Sequence, residues 1–270
     1  MIIDTHCHLD DERYSTDLEE VIARACSQDI GGVIIPGADI KDLERAQSIA
    51  HAYENIYFAA GIHPYHIEDY DEKILRKFLS DEKCIAVGEC GLDYFRLPDE
   101  PSEKEEEKKQ QIATFRSHVR LAKEFKKPLI VHIREANEDS KRVLLEENAE
   151  EVGGVLHCYN ASKHLLDLAQ KGFYFGIGGV LTFKNAKALV EVLSLIPKDK
   201  LLIETDGPYL TPMPHRGERN EPAYTNLIAK KMAEILNMSV TEIHELTTNN
   251  AFSLFKVFKK GNLAKIKDKS

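Results

Sequence analysis

The sequence predicts an α/β fold, a TIM-type (β/α)8 barrel, on three observations. Eight short apolar runs recur along the chain, segments of helical periodicity separate them, and polar residues able to bind metal stand at or just after the ends of the runs. A barrel has no sheet edges to protect and brings all its strand ends to one face. An open doubly wound sheet would hold its first, middle and last strands too far apart for their polar residues to cooperate.

The predicted strands are Met1–Asp4, Gly32–Ile35, Ile56–Ile62, Ile85–Gly88, Leu129–His132, Gly154–His157, Phe173–Ile177 and Leu201–Glu204. Their continuous apolar, β-branched character is that of strands covered on both faces. Between them apolar residues recur at helical spacing, as in Leu18-Val21-Ile22-Ala25 and Leu43-Ala46-Ile49-Ala50, which is the alternation of a parallel sheet with crossover helices. The longest helix opens on Pro101-Ser102-Glu103-Lys104-Glu105, where Ser102 and Glu105 have the spacing of a capping box. Its apolar face is Ile112, Phe115, Val119 and Ala122. The charge run from Glu103 to Lys109 reads as the solvated side of that helix. Tyr224–Leu236 and Thr241–Phe255 read as closing helices after the eighth strand.

With 270 residues and 43% hydrophobic content the chain has material for one large core. The expected organisation is a single barrel domain over residues 1–258 and a basic tail over 259–270, whose lysines read as a solvated end. No apolar run reaches bilayer-spanning length, and the N-terminus lacks the basic region and apolar core of a secretory signal. The five cysteines include no C-x-x-C pair, so neither a disulfide framework nor a thiolate zinc site is suggested. These features lead us to expect a soluble cytoplasmic protein with no membrane and no obligate protein partner. The net charge of −9 argues against binding nucleic acid over a broad basic face. It leaves room for an enzyme that grips a few phosphates through bound cations and a small number of arginines.

His6 and His8 are two apart on an extended segment, so both imidazoles point to one side, into the barrel mouth. Alone, such a pair is as often incidental as functional. Glu89 follows the fourth run with Gly88 and Gly91 beside it, His132 and His157 end the fifth and sixth runs, and Asp206 follows the eighth, next to the first. Each has a bland reading, as a loop glutamate paired with an arginine or a satisfied core histidine. Together the six supply imidazole and carboxylate ligands for two divalent ions with positions left open for water, which describes a catalytic centre and not a closed structural one. Asp206 is placed to ligate an ion and to take a proton from an activated water. Cys90 and Cys158 adjoin two of these residues, but strand alternation directs them away.

The segments Asp4-Thr5-His6-Cys7-His8-Leu9-Asp10, Gly61-Ile62-His63-Pro64, Gly88-Glu89-Cys90-Gly91-Leu92-Asp93-Tyr94, His132-Ile133-Arg134-Glu135-Ala136, His157-Cys158-Tyr159, Glu204-Thr205-Asp206-Gly207-Pro208-Tyr209-Leu210 and Arg216 to Pro222 resemble, in order, the motifs of TatD-type deoxyribonucleases. The resemblance covers nearly the whole chain. It implies a metallo-dependent hydrolase barrel of the amidohydrolase type that cleaves DNA as a 3′-to-5′ exonuclease or an endonuclease and leaves 5′-phosphates. It also implies that His6, His8 and Asp206 hold one ion, that His132 and His157 hold the other, and that Glu89 bridges them. The chain departs from the pattern at Tyr65, where many relatives carry histidine, at Gly207, where serine is frequent, and at Glu218, where lysine is common.

A scissile phosphate at two ions needs further donors, and the candidates are His63, His66, Arg134, Arg216 and Arg219. Arg219 and Glu221 have an alternative reading as partners of each other or of Glu204. Tyr65, Tyr94 and Tyr159 are candidates to stack on a base or to pack locally. The expected substrate is DNA, single-stranded or at its ends, and the expected ions are Mg²⁺, Zn²⁺ or Mn²⁺. The rival is a small-molecule amidohydrolase or lactonase on the same barrel, several of which carry a carboxylated lysine where this chain has Glu89. A scaffold without activity is the weakest reading, because all six ligands are present.

Overall fold

The computed structural model describes residues 1–256 and 266–267. Strands β1 (Ile2–Asp4), β2 (Ile30–Ile35), β3 (Ile56–Ala60), β4 (Cys84–Asp93), β5 (Leu129–Arg134), β6 (Gly154–Leu156), β7 (Phe173–Ile177) and β8 (Leu201–Ile203) lie in chain order in one sheet, each parallel to the next. The eighth strand returns to the first. Thr5 N donates to Ile203 O at 3.1 Å, Asp206 N to His6 O at 2.8 Å and His8 N to Gly207 O at 2.7 Å, so the sheet is nearly closed into the expected barrel. Asp4 reinforces this seam by accepting from the Thr205 amide and hydroxyl at 2.9 and 2.6 Å.

Helices α1 (Leu18–Ser27), α2 (Leu43–Ala52), α3 (Glu72–Leu79), α4 (Pro101–Phe125) and α5 (Asn137–Glu146) follow the first five strands, and α6 (Lys187–Leu193) follows the seventh. The sixth crossover carries only the 3-10 stretch Lys163–Lys171. Helices α7 (Thr225–Leu236) and α8 (Val240–Phe255) follow the last strand. The apolar residues form two layers. Val33, Phe58, Val131 and Phe175 face outward against the helices, with Val21, Leu75 and Val119 among their partners in that layer. Ile3, Ile34, Ile130, Val155 and Leu202 face inward, together with Ala251, Leu254 and Phe255 of α8. Asn250 donates to Leu201 O at 2.8 Å and Thr248 to Met1 O at 3.2 Å, which fixes α8 across the starts of β8 and β1, so that it plugs the bottom of the barrel.

The period of two along a strand then decides where the chemistry falls. Ile130 points inward and so does His132, and Val155 is followed in the same way by His157. Leu202 is followed by Glu204 and then Asp206. An apolar floor is overlaid by a polar mouth.

Several predicted boundaries shift. Strand β4 runs through to Asp93, so Glu89 lies within it and not at its end. Helix α4 is capped by Glu100, whose carboxylate accepts from Ser102 N, because Pro101 starts the helix at its first position and leaves Ser102 inside the first turn. The capping box expected there forms instead at Ser239 and Glu242, ahead of α8. Most of the predicted basic tail lies outside the described residues. Ile266, within it, is buried against the outer apolar layer, and Lys267 O accepts from Glu54 N at 2.9 Å, so that part is docked and not solvated. No helix among the described residues is long and apolar enough to cross a membrane.

Candidate metal centre

Six side chains from five strands or the loops that follow them meet at the mouth of the barrel. His6 and His8 bring their Nε2 atoms within 3.3 Å of each other, and Asp206 Oδ1 lies 3.6 Å from each. Glu89 divides its carboxylate between two imidazole pairs. Its Oε2 lies 3.3 and 3.8 Å from the Nε2 atoms of His6 and His8, and its Oε1 lies 2.9 Å from His132 Nδ1 and 3.1 Å from His157 Nε2. Those last two nitrogens are 3.4 Å apart. Glu89 reaches the centre because β4 runs tight against β5 at two glycines. Gly88 at φ 148 and Gly91 at φ 140 adopt backbone closed to other residues, and a Cβ on either would collide with the backbone of Ile130 or His132.

Two residues that sequence reasoning missed stand behind the imidazoles. Asp93 Oδ2 lies 2.9 Å from His132 Nε2, and Glu204 Oε1 lies 3.4 Å from His157 Nδ1 while accepting from the Cys158 amide. A carboxylate accepts the ring proton, so with a cation bound His132 would carry its proton at Nε2 and His157 at Nδ1, and the opposite nitrogen of each would be free to ligate. Gln111 on α4 in turn holds Asp93, donating to its carbonyl at 3.1 Å and accepting from its amide at 2.9 Å. Glu204 fits only because Gly176 on β7 has no side chain to occupy its place. The signal for both was present in the sequence: Glu204 shares the inward parity of Asp206, and Asp93, beyond the register shift in β4, lies two residues after Gly91, the partner of His132.

Burial would raise the Glu89 carboxyl, but the charge of His157 and hydrogen bonds from His132, His157 and His6 hold it well below the usual range. Asp206 is likewise desolvated yet held below its ordinary value by His8, His157 and His6. Burial opposes protonation of His157, and Glu89 and Glu204 overcome it and raise the imidazole well above its ordinary value. The buried Glu89 and the partly buried Asp206 carboxylates thus face imidazoles across gaps of 2.9–3.8 Å. Ligand atoms of His6, His8 and Asp206, and of His6, Glu89 and His157, lie within 4.8 Å of one another. A nitrogen and oxygen donor set of this kind, with lone pairs converging on a space between buried anions, fits divalent cations.

The predicted substrate residues separate into groups. His63 belongs to the centre, its Nε2 3.6 Å from Glu89 Oε1 and its ring centroid 4.4 Å from that of His132. Burial pushes its imidazole down to about 3. His118, a third residue missed in the sequence, accepts from Ile62 N at 3.0 Å and so holds the segment that carries His63. His66 is partly exposed on the rim, 3.9 Å from Asp39. Arg134 lies over the Phe95 ring at 3.6 Å and borders a cavity beside the centre, and Arg216 lies over Phe183 at 3.8 Å.

Arg219 is committed elsewhere, with two nitrogens on the Asp17 carboxylate at 2.8 and 2.6 Å, while Glu221 accepts from Arg24. The expected Arg219 pairing with Glu221 or Glu204 is therefore replaced by Asp17, a residue brought close only by the packing of α1. Tyr94 donates to Asp139 at 2.8 Å and Tyr159 to Ser162 O at 2.7 Å, so both are spent locally, whereas Tyr65 stands beside His63 with Arg96 over its ring at 4.9 Å. Cys90 turns away from the centre toward Ile130 O, as alternation predicts. Cys158 does not follow alternation: at φ 43 the chain leaves the strand, and the residue borders the cavity.

A parallel barrel whose mouth carries this imidazole and carboxylate cluster defines the class of metal-dependent hydrolases. Within that class the chain belongs to the TatD related DNase family, whose profile matches residues 3–256. It is 43% identical to a protein described as an uncharacterized metal-dependent hydrolase, YabD, of Bacillus subtilis, over 95% of this chain and 100% of that one. It is 31% identical to the 3'-5' ssDNA/RNA exonuclease TatD of Escherichia fergusonii, over 94% and 98% of the two chains. The crystal structure of YjjV, a TatD homologue from Escherichia coli, superposes with a TM-score of 0.87 at 28% identity, covering 95% of this chain and 98% of that one.

Proposed function

We propose that the protein is a divalent-metal-dependent deoxyribonuclease that shortens single-stranded DNA from its 3′ end and leaves 5′-phosphates. In this reading His6, His8 and Asp206 hold one ion, His132 and His157 hold a second, and Glu89 bridges them. The observation that carries it is the division of Glu89, one oxygen toward each imidazole pair. Bound ions would supply Lewis-acid activation of a water and neutralise charge gathering on the phosphodiester. Four imidazoles suit Zn²⁺ or Mn²⁺, and the carboxylates suit Mg²⁺ as well.

Asp206, held ionised by its histidine neighbours and bordering the cavity, takes the proton of the attacking water. His63 and Arg134 orient the scissile phosphate, and His66 and Arg216 reach flanking phosphates from the rim. Arg219 braces the loop that carries Arg216. DNA as substrate is supported by the family and by the exonuclease relative, and a few arginines at the mouth suffice despite the net charge of −9. The five cysteines, which include no C-x-x-C pair, suit a reducing cytoplasm.

The test is digestion of 5′-end-labelled single-stranded DNA with Mg²⁺, Mn²⁺ or Zn²⁺. Stepwise shortening from the 3′ end with release of 5′-mononucleotides is expected, and Asp206→Ala is expected to slow it by about 10²–10⁴-fold in a protein with unchanged circular dichroism. Internal fragments appearing first would make the protein an endonuclease. DNA left intact under every metal, with a lactone or cyclic amide turned over, would replace the nuclease reading with the small-molecule one.

A further inference from the structure

Beside the centre lies a cavity of about 560 Å³, bordered by His157 and Asp206 at one end and by the loops after β7 and β8 at the other. Small-ligand sites occupy roughly 300–1,000 Å³. Away from the imidazoles the lining becomes apolar, with Val180, Ala186, Ala188, Leu189 and Leu210 facing the space. Tyr209 forms one side; its ring is 47% exposed, stands edge-on to His8 at 5.8 Å between centroids, and carries the Arg13 guanidinium at 4.3 Å.

This wall is fixed by bonds between the two loops. The Thr182 hydroxyl accepts from Met213 N at 2.8 Å and donates to Gly179 O at 2.7 Å. Gly179 packs so closely on the Leu210 carbonyl that any Cβ would collide with it. Leu210 itself is held at φ 50, in left-handed backbone that a leucine adopts only under constraint from its surroundings.

A phosphodiester group needs none of this apolar surface. A flat, weakly hydrated ring joined to the phosphate through a sugar does. The geometry points to this cavity as the seat of the nucleobase on the nucleotide next to the cleaved phosphate, packed against Tyr209 and Leu189, with the exposed Asn185 amide at the rim facing its polar edge. The assignment rests on the phosphodiesterase reading above. The second amide bordering the cavity, Asn160, is spent on Ile133 O, Asn137 and Ser162 N, so recognition by packing with Asn185 alone tolerates every base and predicts dependence on having a base and little dependence on which.

The experiment uses the full chain loaded with Mn²⁺ and two oligonucleotides of equal length, oligothymidylate and its counterpart lacking bases at the 3′-terminal nucleotides. The base-bearing strand is expected to be cleaved with a kcat/KM about tenfold higher, chiefly through KM. Ala188→Trp, at an exposed position of α6, fills the cavity and is expected to remove this advantage by slowing the base-bearing strand about tenfold more than the abasic one. Equal cleavage of the two strands by the unmodified protein, or equal slowing of both by Ala188→Trp, overturns the assignment.

Binding of thymidine to the same protein, followed by saturation-transfer NMR, separates this claim from the nuclease reading. A signal that Ala188→Trp abolishes supports the seat even where neither strand is cut, an outcome that sinks the nuclease reading alone. No signal at millimolar thymidine overturns the seat.

Discussion

The two imidazole pairs on either side of Glu89 are held in place by different means. His132 and His157 are each backed by a carboxylate of which almost nothing is exposed, Asp93 and Glu204. Among the described residues, no carboxylate is hydrogen-bonded to the far nitrogen of His6 or His8. The Nδ1 of His6 is buried without a hydrogen-bond partner, whereas the Nδ1 of His157, which also makes no hydrogen bond, faces the Glu204 carboxylate at 3.4 Å; the two rings stack at 3.9 Å. What fixes them is backbone, the seam in which Asp206 N donates to His6 O and His8 N to Gly207 O. One half of the centre is therefore set by charge and tautomer, the other by closure of the barrel. A carboxylate behind an imidazole raises its basicity as a ligand, so the half carrying His132 and His157 should bind its ion more tightly.

The largest effect should come from removing what the halves share. Glu89→Ala is expected to abolish nuclease turnover and to lower the metal content of both halves, measured by plasma emission after gel filtration; retention of two equivalents of metal would deny Glu89 its bridging place. A more selective break is Glu204→Gln. Titration calorimetry on the metal-free protein should show one site weakened about 10–100-fold and the other unchanged, with Glu204→Asp partly restoring the affinity. Equal weakening of both sites would mean that the halves are not independently supported. Graded chelation sharpens the same contrast, since the seam ion should leave first and activity should vanish while about one equivalent of metal is still bound.

The smallest effect concerns stability alone. His118 is buried, donates to Thr114 O at 2.8 Å and accepts from Ile62 N, and burial pushes its imidazole down to about 4 from an ordinary 6.5. Because the folded value is depressed, its contribution is fully present above pH 6.5 and is lost as pH falls toward 4, to a limit of about 3 kcal/mol. His118→Gln should flatten the fall in urea-unfolding free energy across that window. Its metal affinities should match those of the unmodified protein, which separates it from Glu204.

The sequence made the strand ends legible because apolar runs and inward parity are local properties. That is why His6, His8, Glu89, His132, His157 and Asp206 could be placed at one mouth before any coordinates. The supporting groups were less visible for physical reasons. Glu204 and Asp93 are ordinary carboxylates whose roles depend on which imidazole nitrogen they face, and Gly176 matters only as the space that Glu204 fills. His118 reads as one more residue on the buried face of a long helix. Arg219 drew a functional reading from its loop, yet its partner Asp17 lies 202 positions away in the chain and is brought close only by folding. The sixth crossover, a 3-10 stretch where a helix was expected, shows how little of the barrel depends on that element being regular.

Crystals of the metal-loaded protein, measured for anomalous scattering at the Mn²⁺ or Zn²⁺ edge, test the two-half centre most directly. The account predicts two peaks flanking Glu89, one among His6, His8 and Asp206 and the other between His132 and His157. A single peak, or peaks that leave Glu89 without contact to either ion, would contradict it.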